Sequence, residues 1–151
     1  MFWFNKHAED VLFTDIRDEI HVLCDGRNLQ IKPDEIVDFR NMPYSDRSFK
    51  LVVFDSPHLN HLGSNSWMAK KYGRLTKSWR EDLAKGFNEC WRVLDFGGTL
   101  IFKWSETQIK LKEILSCFPQ QPLFGHTTTQ NLQTHWIVFF KRANENYNAL
   151  T

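Results

Sequence analysis

The chain has 151 residues, of which 25% are charged and 42% hydrophobic, and its formal net charge is +1. That is enough chain for one domain to bury a core without disulfides or metal, and the near-neutral balance excludes a global field that recruits nucleic acid. No apolar run approaches the ~20 residues that cross a bilayer, and Met1-Phe2-Trp3-Phe4 is too short for a signal-peptide core. The three cysteines, Cys24, Cys90 and Cys117, are odd in number and set in apolar surroundings, so they read as buried thiols of a cytoplasmic protein.

In chain order, residues 5–10 are polar, and Val11-Leu12-Phe13-Thr14 predicts a strand with Asp15 at its end. His21-Val22-Leu23-Cys24 and Asn28-Leu29-Gln30-Ile31 flank Asp25-Gly26. An Asp-Gly pair between apolar runs predicts a tight hairpin, because Gly accepts the positive φ of the turn. Pro33 separates the hairpin from a strand over residues 35–38, which again delivers an acid, Asp38, to the start of a loop.

Phe49-Lys50-Leu51-Val52-Val53-Phe54 is apolar, β-branched and too short for a helix, which predicts a strand buried on both faces. Asp55-Ser56-Pro57-His58 then forces the chain out of the sheet, since Pro57 has no N–H to give a ladder and restricts the residue before it. Asp, Ser and Pro are ordinary turn formers. The wider pattern, an acid at the end of strand after strand, points instead to a ligand-binding rim.

Residues 56–80 contain no acid, while Lys70, Lys71, Arg74, Lys77 and Arg80 are interleaved with Trp67, Tyr72 and Trp79. A long loop of that composition suits a phosphate backbone and unstacked bases. Ser78-Trp79-Arg80-Glu81 fits a capping box. Leu83, Phe87, Cys90, Trp91 and Leu94 follow at helical spacing, so their rings are core. After Gly97-Gly98, residues 99–102 predict a buried strand. Ser105-Glu106-Thr107-Gln108 opens a second helix reaching Cys117, and residues 122–126 and 136–140 predict two strands joined by a polar loop. His58 and His61 have no Cys or acid at supporting spacing, so no metal site is expected.

The series Asp15, Asp38, Asp46-Arg47-Ser48-Phe49-Lys50-Leu51-Val52, Asp55-Ser56-Pro57-His58 and Arg92-Val93-Leu94 before Gly97-Gly98-Thr99-Leu100 resembles the class I S-adenosylmethionine-dependent methyltransferases. Asp55 to His58 is similar to the Asp/Asn-Pro-Pro-aromatic motif of amino-group methyltransferases, with Ser56 in place of the first Pro. In layout the chain resembles small phage- and prophage-encoded adenine-type DNA methyltransferases over residues 1–141. The resemblance implies an α/β fold built on a Rossmann-like methyltransferase sheet, mostly parallel with an antiparallel terminal strand pair. It also implies one domain over residues 1–143 with a polar tail, 144–151.

By the same resemblance Asp55 and the Ser56 carbonyl hold the target amine, Pro57 stiffens the corner and His58 stacks on a flipped base. Asp15 with Ile16 meets the ribose end of S-adenosylmethionine, and Asp38 with Phe39 brackets its adenine. Trp67, Lys70, Lys71, Tyr72, Arg74 and Lys77 engage nucleic acid, DNA first, with RNA or a small amine left open. The family's first strand and its glycine-containing loop have no counterpart, since Gly26 is the first glycine. Three expectations follow: a shortened enzyme, a sheet that closes differently, or a partner strand or second copy filling the gap. Against the enzyme stands a catalytically inactive relative that keeps the basic segment as a binding surface.

Overall fold

The computed structural model describes residues 3–5, 7–23, 25–61, 63, 66–126 and 133–143. Its first elements are short. β1 (Thr14–Asp15) pairs in parallel with β4 (Glu35–Ile36), while β2 (Glu19–Val22) and β3 (Asn28–Ile31) form an antiparallel hairpin between them in sequence. Gly26 turns that hairpin at φ +81°, the conformation that makes glycine the favoured residue there.

A second group of elements carries the core. β5 (Phe49–Phe54), β6 (Leu94–Ser105), β7 (Phe124–His126) and β8 (Thr134–Phe140) form one sheet in the order β5-β6-β8-β7. β5 runs parallel to β6, and both other pairings are antiparallel. Helix α2 (Trp79–Val93) precedes β6, α1 (Trp67–Tyr72) lies within the basic stretch, and α3 (Leu111–Leu115) follows β6.

This partition overturns the expected Rossmann-like, mostly parallel sheet. The described strands form three separate sheets, and the largest holds one parallel pair among its three pairings. Local chemistry explains why β1 and β4 stop so early. The Asp15 carboxylate accepts the N–H of Arg17, and Asp38 accepts that of Arg40, so each chain bends before a longer ladder forms. Among the described residues, β5 pairs with β6 alone.

The four-stranded sheet is asymmetric. Along β6, Leu100, Phe102 and Trp104 are fully buried while Ile101, Lys103 and Ser105 alternate with them as half-buried residues. On β8, His135, Ile137 and Phe139 are buried, and Trp136 and Val138 take the other face. The buried face packs on Leu83, Phe87 and Cys90 of α2 and on Ile109, Ile114 and Phe118. Phe87 stacks on Phe118 at 4.1 Å between ring centroids, and the Trp104 indole donates to the Ile109 carbonyl at 3.0 Å. Burial of this many aromatic rings supplies most of the driving force for folding.

Several local expectations differ in detail. Ser78 makes no side-chain cap on α2. Thr76 instead ties the residue before the helix to its first turn, its hydroxyl accepting from the Ser78 N–H at 3.1 Å and donating to Asp82 at 2.6 Å. The helix expected from Ser105 is confined to Leu111–Leu115, where Glu106 accepts from the Leu111 N–H. Cys90 is buried but Cys117 is only partly so, and Cys24, the loop over residues 127–132 and the tail over 144–151 lie outside the described residues. No helix among the described residues is long and apolar enough to cross a membrane.

Candidate active site and nucleic-acid face

The corner after β5 is pinned from two sides. Ser56 is buried, and Pro57 packs on Gly73, where an added Cβ would stand 3.1 Å from the proline Cγ. Gly73 adopts φ +74°, so it alone among ordinary residues ends α1 this way and lets the proline approach. Leu59 is buried, and its carbonyl accepts from the Leu75 N–H at 2.9 Å. From the other side the Gln108 amide oxygen accepts from the N–H groups of Asn60 and His61 at 2.7 and 3.0 Å. The segment Asp55 to His61 is therefore braced by contacts on both sides.

Asp55 faces the side of the sheet away from the helices. Lys103 of β6 donates to both its oxygens, at 2.9 and 3.0 Å. His58 lies between Tyr72, at 5.6 Å, and Trp104, at 6.4 Å between ring centroids. Burial, and after it the Lys103 charge, push the His58 imidazole below its ordinary value, with Asp55 acting in the opposite sense. The result is a ring that favours the neutral form near pH 7.

Asp15, the last residue of β1, and Asp38, two residues past β4, share one device. Asp15 accepts from the Arg17 N–H at 3.0 Å and from the Arg17 guanidinium at 2.9 Å. Asp38 does the same with Arg40, whose guanidinium at 2.7 Å holds the carboxyl below its usual range. Asp25 and Arg27 repeat the pattern in the hairpin. The signal was visible in the sequence as three Asp-x-Arg triplets, and reading each acid alone misses it.

These contacts connect the rim. Arg17 reaches past Asp15 to donate to the Lys70 carbonyl at 2.8 Å and also approaches Gly73. Asp15, α1 and Pro57 thus come together. Asp38 is tied in through Phe39, whose ring sits 5.3 Å from that of Phe54. Phe39 is partly buried and packs against the core. Ile16 is exposed.

The basic segment is partly helical rather than a plain loop. Ser66 caps α1 by accepting from the Met68 N–H. Trp67 and Tyr72 are exposed, and the Lys71 ammonium lies over both rings, at 5.9 and 5.1 Å. Arg74 and Lys77 are exposed, whereas Arg80 lies over Trp79 at 4.1 Å and pairs with Glu113. Through the Tyr72–His58 contact this cationic, aromatic surface adjoins the Asp55 corner.

For a ribose-bearing cofactor the donor set fits in part. Asp15 keeps one of its roughly four acceptor positions after the three bonds from Arg17, and both carboxylates are about one-third exposed, at 31% and 32%. Among the described residues, no three His, Cys, Asp or Glu side chains gather as a metal site. Compared with known proteins, the chain matches neither a family model nor a curated protein.

Proposed function

We propose that this chain transfers a methyl group from S-adenosylmethionine to the exocyclic amine of a nucleobase, adenine in DNA first. The observation that carries the reading is the braced Asp55–His58 turn meeting the cationic, aromatic α1 through His58 and Tyr72. An exocyclic amine is a poor nucleophile while its lone pair is conjugated with the ring. Asp55 and the Ser56 carbonyl accept its two protons and favour the attacking geometry, and Pro57, held on Gly73, fixes that carbonyl. His58 stacks on the extruded base. Lys70, Lys71, Arg74 and Lys77 meet phosphates while Trp67 and Tyr72 meet bases. Bound S-adenosylmethionine supplies an electrophilic methyl on a sulfonium, and Asp15, Ile16, Asp38 and Phe39 are the residues that would hold its nucleoside end. Asp55 then takes the proton that the amine nitrogen sheds.

Free thiols at Cys90 and Cys117 support a reducing, cytoplasmic setting. The open side of β5 is where a strand from a partner or a second copy adds.

The test is methyl transfer from labelled S-adenosylmethionine to adenine-containing DNA, with isothermal titration of the cofactor beside it. Transfer that disappears in Asp55→Ala, with the fold intact, supports the reading. Absence of cofactor binding overturns it. One observation favours a second reading, a non-catalytic nucleic-acid-binding protein: Lys103 occupies both Asp55 oxygens. That reading expects nucleic-acid binding which survives Asp55→Ala, and no transfer by the wild type.

A further inference from the structure

A row of side chains crosses the sheet opposite the helices. Phe54 is in register with Phe102, so Asp55 stands beside Lys103, and Lys103 is in register with Trp136, which pairs in turn with His126. Within this row the Asp55 carboxylate and the Lys103 ammonium stand side by side at 2.9 and 3.0 Å, partly open to solvent. The Lys103 ammonium also lies 6.0 Å from the centre of the Trp136 ring. The pair is thus one strong acceptor next to one strong donor.

An amino-substituted heteroaromatic base presents the complementary pattern. In adenine, as in cytosine, an N–H donor on the exocyclic amine adjoins a ring nitrogen that accepts. Resting on the amino-methyl transfer reading above, we propose that Lys103 determines substrate class at this site. Asp55 accepts from the amine while Lys103 turns one N–H to the adjacent ring nitrogen. The exchange conserves hydrogen bonds, because the amine N–H takes the carboxylate position that Lys103 gives up, and the ammonium has three donors to distribute. An aliphatic amine, which has no neighbouring acceptor, would leave that donor without its new partner and bind less well.

The experiment compares methyl transfer to oligonucleotides carrying adenine, 1-deazaadenine or 7-deazaadenine, in which a CH replaces one ring nitrogen. The wild type is expected to favour adenine over one of the two analogues by roughly tenfold to a hundredfold in kcat/KM, as a good two-point base contact does. Lys103→Met is expected to bring that ratio close to one, and Lys103→Arg, which keeps donors, to retain part of it. Thermal melting of both variants checks the fold. Transfer by the wild type without discrimination, or discrimination unchanged in Lys103→Met, overturns the role of Lys103 and leaves amino-methyl transfer standing. No transfer to any of the three oligonucleotides, nor to one carrying cytosine, overturns the methyl-transfer reading itself and this inference with it.

Discussion

The ring of Phe39 fills the space that a side chain on Gly86 would need. An added Cβ there would stand 2.3 Å from Phe39 Cδ2 and 2.9 Å from Phe54 Cζ. Alanine in a helix interior gains about 1 kcal/mol over glycine, but the crowded rings must move, and overpacking of this kind costs about 1–3 kcal/mol. Gly86→Ala is expected to destabilise the fold despite its better helix propensity, read as a lower denaturation midpoint. A midpoint that rises would mean that Phe39 yields without cost.

Arg92 ties the segment between β4 and β5 to α2. Its guanidinium donates to Glu89, to Asp46 and to the carbonyls of Tyr44 and Met42. The planar fork makes these bonds at once, and the point charge of a lysine does not. Arg92→Lys is therefore expected to speed amide hydrogen exchange at the N–H groups of Met42 and Arg47, which donate to the Glu89 carboxylate and the Arg92 carbonyl, by roughly 5- to 160-fold, the equivalent of losing about 1–3 kcal/mol locally. Unchanged protection at both amides would contradict this.

His58 makes stability depend on pH in mildly acidic solution. Its folded value is lowered by burial and Lys103, so the unfolded chain binds the proton more readily. The contribution is complete above the ordinary histidine value of about 6.5 and is lost as pH falls from there toward the lowered folded value. The carboxylates with lowered values, Asp38, Asp82 and Glu89 among them, titrate at lower pH and leave this window distinct. Denaturation followed from pH 7.5 down to about 5 should show a slope that His58→Gln abolishes.

Nucleic-acid affinity, on the proposed reading, should carry the signature of α1 and the residues after it. Replacing Lys71 and Arg74 together by alanine is expected to reduce the steepness of log K against log salt by about 1.8 on duplex or about 1.4 on single strands. Trp67→Ala should weaken single-strand binding with little change in that slope, since stacking releases no counterions. A slope indifferent to the double substitution would place the contact surface elsewhere.

Some of this architecture was legible in the amino-acid order. The Asp25-Gly26 hairpin follows from one glycine, and the buried face of α2 follows from Leu83, Phe87 and Cys90 at helical spacing. That β5, β6 and β8 exist follows from their apolar and alternating runs, but β5 is not buried on both faces, since Lys50 and Leu51 are exposed, and β6 begins at Leu94, a residue whose spacing assigns it to the helix. The division into three sheets was not legible, because strand pairing is decided between distant segments, and β1 and β4 end where local Asp-to-backbone bonds compete with the ladder. At the site, the composition of Asp55 to His58 and of the basic segment could be read. The partners of the acids could not all be: Arg17 and Arg40 lie two residues away, but Lys103 lies 48 positions from Asp55 and meets it only through the β5–β6 register.

β5 also shapes how this protein behaves in a crowded tube. Among the described residues, a strand whose sequence suits burial on both sides stands at the border of its sheet with Leu51 exposed and Lys50 as the charged residue within it. Such a border is a template for like chains as much as for a rightful neighbour. Self-association in storage should consequently rise with concentration, and a second charge introduced at Leu51 would slow it.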